Sequence, residues 1–149
     1  MESFHDIEGS KINGGTIPSD IVTTSSQPDL VIVNRSASPS EVFLCELTVP
    51  YESATSGANQ RKESRYAPLV TDIESRGFSC TNINFEIGAR GYINNRNKLA
   101  LGRMLKLTKS KTKFGTFYKN ISKISLLCSY GIFSARNEPE WISPRYMQP

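Results

Sequence analysis

Two carboxylates in the first third of the chain lie in otherwise apolar surroundings. Asp29 precedes the run L-V-I-V-N, and Glu46 lies within F-L-C-E-L-T-V. Burying a carboxylate is costly unless it is paired or bound to a metal, and carboxylate oxygens are ligands that Mg²⁺ takes in proteins. Spacing alone leaves two interpretations open. The acids form a divalent-metal site, or Pro28-Asp29 is ordinary turn chemistry and Glu46 occupies an edge or salt-bridge position.

A cluster of cationic and aromatic residues, R-K-E-S-R-Y, follows both acids. Lys62 is the candidate to orient or deprotonate an attacking water and to offset charge on a phosphate. Arg65 and Tyr66 lie three and four positions later, so they share one face of a helix with Lys62. Beside two acids that hold Mg²⁺ (or Mn²⁺), these side chains would complete a centre that hydrolyses phosphodiesters.

Two β-branched runs must bring the acids together. Leu30–Val33 predicts a buried strand and Val42–Val49 its neighbour, and the short link between them favours an antiparallel hairpin. Such a hairpin would make Asp29 and Glu46 converge, and the Leu47 carbonyl could add a third oxygen.

Further elements are expected around the hairpin, and together they predict an α/β fold with a mixed sheet of about four strands flanked by helices. They are a helix from about residue 60 to 76 with Pro68 inside it, a strand over Phe78–Ile87 and a helix over Lys98–Leu107. The apolar segment Ile121–Arg136 fits a helix or a strand, and we favour the helix.

The chain of 149 residues is long enough for one domain with a real core. Residues 1–20 are rich in Gly, Ser, Asn and Pro, which predicts an irregular segment, such as the end of a longer polyprotein would show, with a short strand at Ile21–Thr24. The domain is expected over 21–141, with a tail over 142–149.

Composition excludes several classes of protein. No apolar run approaches the roughly 18 residues of a membrane span, and the N-terminus lacks the features of a signal peptide. Cys45, Cys80 and Cys128 are odd in number and far apart, as expected for reduced thiols of an intracellular protein. His5 is the only histidine, so a single side chain is available for catalysis based on histidine.

The net charge of +4 conceals a segregation, because no Asp or Glu occurs between Ile87 and Asn137. A cationic stretch of this kind predicts contact with a polyanion. We expect the region 90–123 to hold the backbone of DNA, with RNA or an RNA–DNA hybrid as alternatives, and the aromatics that follow could stack on unpaired bases. A solvated basic loop with its aromatics in the core is the other interpretation. The candidate contacts are Arg90, Arg96, Lys98, Arg103, Lys106, Lys109, Lys111 and Lys113.

Three sequence blocks resemble a known family: P-D-L-V-I-V-N, F-L-C-E-L-T-V-P-Y-E and R-K-E-S-R-Y-A-P-L. They look like the PD-(D/E)-x-K restriction-endonuclease-like family. They are more closely similar to the endonuclease domain at the C-terminal end of site-specific non-LTR retrotransposon (reverse transcriptase) polyproteins. A further block, F-E-I-G-A-R-G-Y, extends the likeness, which covers the chain from about Thr16 to Trp141.

The resemblance implies a restriction-endonuclease-like core and a nuclear endonuclease that nicks target DNA with Mg²⁺ or Mn²⁺. An inactive nucleic-acid-binding remnant or a domesticated module of the same fold is the alternative. The roles it carries over are metal ligand for Asp29 and Glu46, catalytic lysine for Lys62, supporting residue for Arg65 and Tyr66, and second acid of the Y-E pair for Glu52.

Two departures from the family pattern matter. The family's usual lysine stands two residues after the second acid, where this chain has Thr48. The lysine is therefore expected to come from the following helix as Lys62. The second helix cation is Arg65, which cannot act as a base, since a guanidinium does not lose its proton.

Overall fold

The computed structural model describes residues 6–7, 10–13, 15–51, 53, 55–108 and 111–137, with side chains from residue 15 onward except at 55 and 56. Three of the strands and all three helices correspond to predicted elements, although several of their bounds differ. The strands are β1 (Asp6–Ile7), β2 (Ser10–Asn13), β3 (Leu30–Asn34), β4 (Glu41–Thr48) and β5 (Ser79–Glu86), and the helices are α1 (Thr55–Ser75), α2 (Asn95–Leu107) and α3 (Phe114–Ser134).

The strands form one mixed sheet in the order β1-β2-β3-β4-β5. β3 and β4 pair antiparallel, with Leu30 opposite Cys45, so the predicted hairpin is confirmed. β5 pairs parallel with β4, because α1 carries the chain back to the same end of the sheet before β5 begins. The α/β class with a mixed sheet is therefore confirmed.

The N-terminal segment contains more regular structure than the sequence predicts. Residues 1–20 were expected to be irregular, but β1 and β2 lie there and β2 pairs with β3, which gives five strands instead of about four. Ile21–Thr24, expected as a strand, is not one. Ile21 follows a turn in which its N–H donates to the Pro18 carbonyl at 2.9 Å, and its side chain is fully buried. The β-branched pattern there reflects burial in a loop.

α1 covers one face of the sheet. Its Tyr66, Leu69 and Ile73 pack on Val42 and Leu44 of β4, together with the loop residues that include Ile21 and Val22. Successive side chains of a strand point to opposite faces, so every second residue of β4 belongs to this layer. The helix extends through Pro68 and begins several residues earlier than predicted.

α2 and α3 cover the opposite face. Leu101 of α2 is fully buried with Phe43 and Phe85, and Phe117 and Tyr118 of α3 pack against the same cluster. Those two aromatics therefore belong to the core, as the second interpretation of the cationic stretch predicted. α3 starts at Phe114, seven residues before the predicted Ile121.

Gly91 explains part of the block F-E-I-G-A-R-G-Y. Its φ is +83°, which favours glycine, and a Cβ there would lie 2.5 Å from the Ser122 carbonyl oxygen of α3. The Ser125 hydroxyl donates to the Gly88 carbonyl at 3.0 Å. The loop after β5 is thus fixed against α3. None of the described helices is long and apolar enough to cross a membrane.

Thiol reactivity tests this packing. Burial raises the pKa of the Cys45 and Cys80 thiols to about 12, so both stay protonated and poorly nucleophilic near neutral pH. Cys128 is half-buried. We expect alkylation of the native protein to modify Cys128 first, and denaturant to release the other two. Rapid native alkylation of a Cys128→Ser variant would contradict the assigned core.

Candidate active site

Glu46 lies under α1 with only 3% of its surface exposed. It follows Val42 and Leu44 at two-residue intervals on β4, so its side chain points to the face that α1 covers. A carboxylate at this position has to be compensated by hydrogen bonds or by opposite charge.

Lys62 and Tyr66 of α1 provide that compensation. The Lys62 Nζ lies 2.6 Å from the Glu46 Oε2, and the Tyr66 hydroxyl donates to the Oε1. The two residues are four positions apart and therefore neighbours on one helix face. The predicted helix thus delivers both side chains to the predicted acid. Lys62 is partly exposed, so its ammonium group lies at the boundary between the site and solvent.

Asp29 joins the site from the start of β3. Its Oδ2 accepts the Leu47 N–H at 2.8 Å, which extends the β3–β4 ladder by one bond beyond the pair Leu30–Cys45. The Thr48 carbonyl accepts from Ile87 after β5. Because alternate residues of a strand direct their backbone groups to opposite sides, the Leu47 carbonyl points to the side of Asp29.

The carboxylates act together on Tyr66. Burial, the hydrogen bond to Glu46 and the negative charges of Glu46 and Asp29 raise the pKa of the Tyr66 hydroxyl to about 12, while Arg65 opposes them. The guanidinium carbon of Arg65 lies 5.6 Å from the centre of the Tyr66 ring. Tyr66 therefore remains a neutral donor that holds Glu46 in place.

The donor set fits Mg²⁺ better than zinc. Across the described residues, no group of three or more His, Cys, Asp and Glu side chains could hold a metal, which a zinc site would need. Mg²⁺ is commonly held by one or two carboxylates and several waters. A carboxylate oxygen accepts about two hydrogen bonds, so Glu46 retains acceptor capacity beside Lys62 and Tyr66, and Asp29 retains its Oδ1. Glu52, the third acid that the resemblance implied, lies outside the described residues.

A second buried carboxylate was missed by the sequence analysis. Glu86, at the end of β5, is 2% exposed and its Oε1 accepts the Asn59 Nδ2 at 2.9 Å. Asn84, the register partner of Glu46, is also buried. The Oδ1 atoms of Asn59 and Asn84 have no hydrogen-bond partner among the described atoms. The signal was present in N-I-N-F-E-I, where polar residues alternate with the apolar ones, but alternation by itself does not show whether the polar face meets solvent or lies under a helix.

The predicted nucleic-acid contacts are spread over two sides of the sheet. Arg90 lies over the ring of Tyr51, just beyond the end of β4 that carries Glu46. Arg96 pairs with Glu63 of α1 at 2.6 Å. The remaining α2 cations, Lys98, Arg103 and Lys106, belong to a helix that packs on the face opposite Glu46.

Three lysines complete the predicted contacts. Lys111 and Lys113 are exposed just before α3, and Lys109 lies outside the described residues. The cations nearest to Lys62 along α1 are instead Arg61 and Arg65, both exposed. The region 90–123 therefore does not surround the carboxylates as a single surface.

Comparisons of the chain with protein-family models, curated proteins and solved structures find no match. The geometry of the site therefore carries the functional argument.

The network around Glu46 makes a testable contribution to stability. Tyr66→Phe leaves a buried carboxylate oxygen without its donor, so we expect the free energy of unfolding at neutral pH to fall by about 1–3 kcal/mol. Tyr130→Phe is the matched control, because that ring is 63% exposed. Chemical denaturation of both variants measures the difference, and equal stabilities would contradict the assigned hydrogen bond.

Alkaline pH supplies an independent test of the same bond. The pKa of the Tyr66 hydroxyl is about 12 in the folded protein against an ordinary value of 10. As the pH rises, the unfolded chain therefore loses this proton before the folded protein does. The stabilisation that results from the raised pKa is complete below pH 10 and is lost between pH 10 and 12. Tyr66→Phe should lack this component of the alkaline loss of stability, and Tyr130→Phe should keep it.

Proposed function

We propose that this protein is a divalent-metal-dependent DNA endonuclease domain of retrotransposon origin that nicks target DNA. One observation carries the proposal: the Lys62 Nζ meets the buried Glu46 carboxylate at 2.6 Å, beside an Asp29 that is held at the start of the neighbouring strand. Two acids and a lysine at one end of a sheet are the groups that metal-dependent phosphodiester hydrolysis requires.

The fold agrees with the proposal. The PD-(D/E)-x-K resemblance implies a restriction-endonuclease-like core with a mixed sheet between helices, and an antiparallel hairpin, a crossover helix and a parallel strand are compatible with it. In such a core Thr48 would occupy the usual lysine position, on the face that α1 covers. Lys62 reaches the same acid from α1, which supports a lysine that has moved from strand to helix.

Asp29 and Glu46 would hold Mg²⁺ or Mn²⁺, and the Leu47 carbonyl would be available on the same side. When bound, such an ion polarises a phosphate and lowers the pKa of a coordinated water. Asp29 is exposed and Glu46 is buried, so the pair spans the boundary between solvent and core. A DNA phosphate can approach from the Asp29 side.

Lys62 has two tasks in this scheme. Its ammonium group can orient the attacking water and offset the negative charge that develops on the phosphate. Tyr66 is a positioning residue, because its hydroxyl fixes one oxygen of Glu46. A guanidinium does not act as a base in proteins, so Arg65 would serve as a phosphate contact.

A second function is favoured by the same network. Both oxygens of Glu46 already have a partner, Lys62 on one and Tyr66 on the other, so the carboxylate is satisfied without a metal ion. A non-catalytic nucleic-acid-binding module of the same fold would keep this arrangement as a structural ion pair. It would bind DNA in a salt-sensitive manner with no metal requirement.

Plasmid nicking in the presence of Mg²⁺ or Mn²⁺ tests the endonuclease. Asp29→Asn and Lys62→Met should lower the nicking rate by about 100-fold or more, the loss typical of removing one charge-stabilising group. Arg76→Ala is the control, because Arg76 follows the last residue of α1 and its guanidinium pairs with the exposed Asp72 at the end of the helix far from Lys62. Chelation of the metal should abolish nicking by the wild type.

The outcomes separate the candidates. Equal nicking by the wild type, Asp29→Asn and Lys62→Met would place the activity elsewhere and refute the site. Salt-sensitive binding by a folded wild-type protein that never cuts would support the non-catalytic module. A protein that fails to bind DNA even at low salt would contradict both functions and favour a protein-interaction module.

A further inference from the structure

A groove runs between α2 and α3 on the face of the sheet opposite Glu46. Its volume is about 350 Å³, ample for a planar organic ring. The residues that line it are Lys98, Leu99, Gly102, Arg103, Lys106 and Phe114.

The floor of the groove is apolar and open to solvent. Leu99 is 77% exposed and Phe114 is 40% exposed, unlike Phe117 and Tyr118, which pack into the core one turn further along α3. Gly102 provides the space between them, since a Cβ at this position would already lie 3.7 Å from the Phe114 ring. A larger side chain would fill the groove.

The rim of the groove is cationic. Within the described part of the chain, Lys98, Arg103 and Lys106 have no carboxylate partner. Lys98 lies 5.1 Å from the centre of the Tyr118 ring, and Arg103 lies 5.6 Å from that of Phe43. No acidic residue occurs in the sequence from Ile87 to Asn137. The groove therefore favours an occupant that combines a flat apolar part with negative charge.

We propose that the α2–α3 groove binds single-stranded nucleic acid, with one unpaired base against Phe114 and Leu99 and the adjoining phosphates on the three rim cations. Stacking of a base on an aromatic ring with backbone contacts to cations is the usual physics of single-strand binding. A duplex keeps its bases stacked inside and can offer only phosphates, so the apolar floor favours the single strand.

The groove is separate from the candidate active site. The sheet lies between them, because α1 packs on one face and α2 and α3 on the other. Single-strand binding therefore does not depend on the proposed endonuclease, and it should persist in the presence of a metal chelator.

Fluorescence anisotropy with an oligothymidylate, in a chelating buffer at several salt concentrations, tests the proposal. Gly102→Leu fills the groove without changing charge, and Phe114→Ala removes the stacking surface. Each should weaken binding by about 5- to 100-fold, the range for loss of one stacked base. Gly115→Leu is the matched control, because a Cβ at Gly115 meets nothing within 4 Å; this variant should keep the wild-type affinity.

The salt dependence of binding tests the cationic rim. Replacing Arg103 and Lys106 by Gln should reduce the magnitude of the slope of log affinity against log salt concentration by about 1.4. Each phosphate contact to a single strand contributes about 0.7 to that slope, and the double variant removes two contacts. Circular dichroism and thermal unfolding establish that each variant is folded.

Three results would overturn the proposal. Equal affinity of Gly102→Leu and Gly115→Leu for the oligonucleotide would exclude the groove as the binding site. A duplex of the same length could bind more tightly than the single strand, which would make the apolar floor irrelevant. The protein could bind vesicles rich in anionic lipid and ignore the oligonucleotide, which would assign the cationic rim to a lipid surface.

Discussion

A carboxylate held inside a protein constrains everything around it, and Glu46 imposes that constraint here. Its burial has to be compensated on both oxygens, and Lys62 and Tyr66 do so from one face of α1. The register of α1 over β4 is thereby fixed, because a shift by one residue would move both partners away and leave the charge uncompensated, at a cost of several kcal/mol. The same arrangement brings a lysine to an acid at a position where the strand itself supplies Thr48.

The sheet divides the molecule into two chemically different sides. Below α1, acids and amides collect at the carboxyl ends of β4 and β5, where Glu46 lies beside Asn84 and Glu86 follows two residues later. On the other side, α2 and α3 present cations and partly exposed aromatic surface. The sheet separates the buried carboxylates from those cations, so the two groups do not form ion pairs with each other. Arg96 is the exception, since it reaches around the edge of β5 to Glu63.

The polar layer under α1 has an energetic cost that the core must offset. Buried amide oxygens without partners, such as those of Asn59 and Asn84, each cost free energy relative to an apolar residue of the same shape. Proteins usually keep such groups where chemistry or recognition needs them. Asn84 is the register partner of Glu46 and Asn59 donates to Glu86, so the candidate site extends from the acids and the lysine to a polar cluster that includes Asn59 and Glu86. The side-chain amide of Asn97 in α2 also lacks a partner among the described atoms, so this feature alone does not mark the site.

The sequence by itself determined the local part of this arrangement. Two β-branched runs with a short link dictate an antiparallel hairpin, and a spacing of four residues places Lys62 and Tyr66 on one helix face, because both rules depend only on neighbours along the chain. Only the tertiary structure decided which faces meet. The parallel position of β5 buries Asn84 and Glu86 beside Glu46, the packing of α2 places Lys98, Arg103 and Lys106 on the far side of the sheet, and β2 pairs with β3 although its composition indicates a loop. These outcomes depend on contacts between residues distant in sequence, which periodicity and composition do not encode.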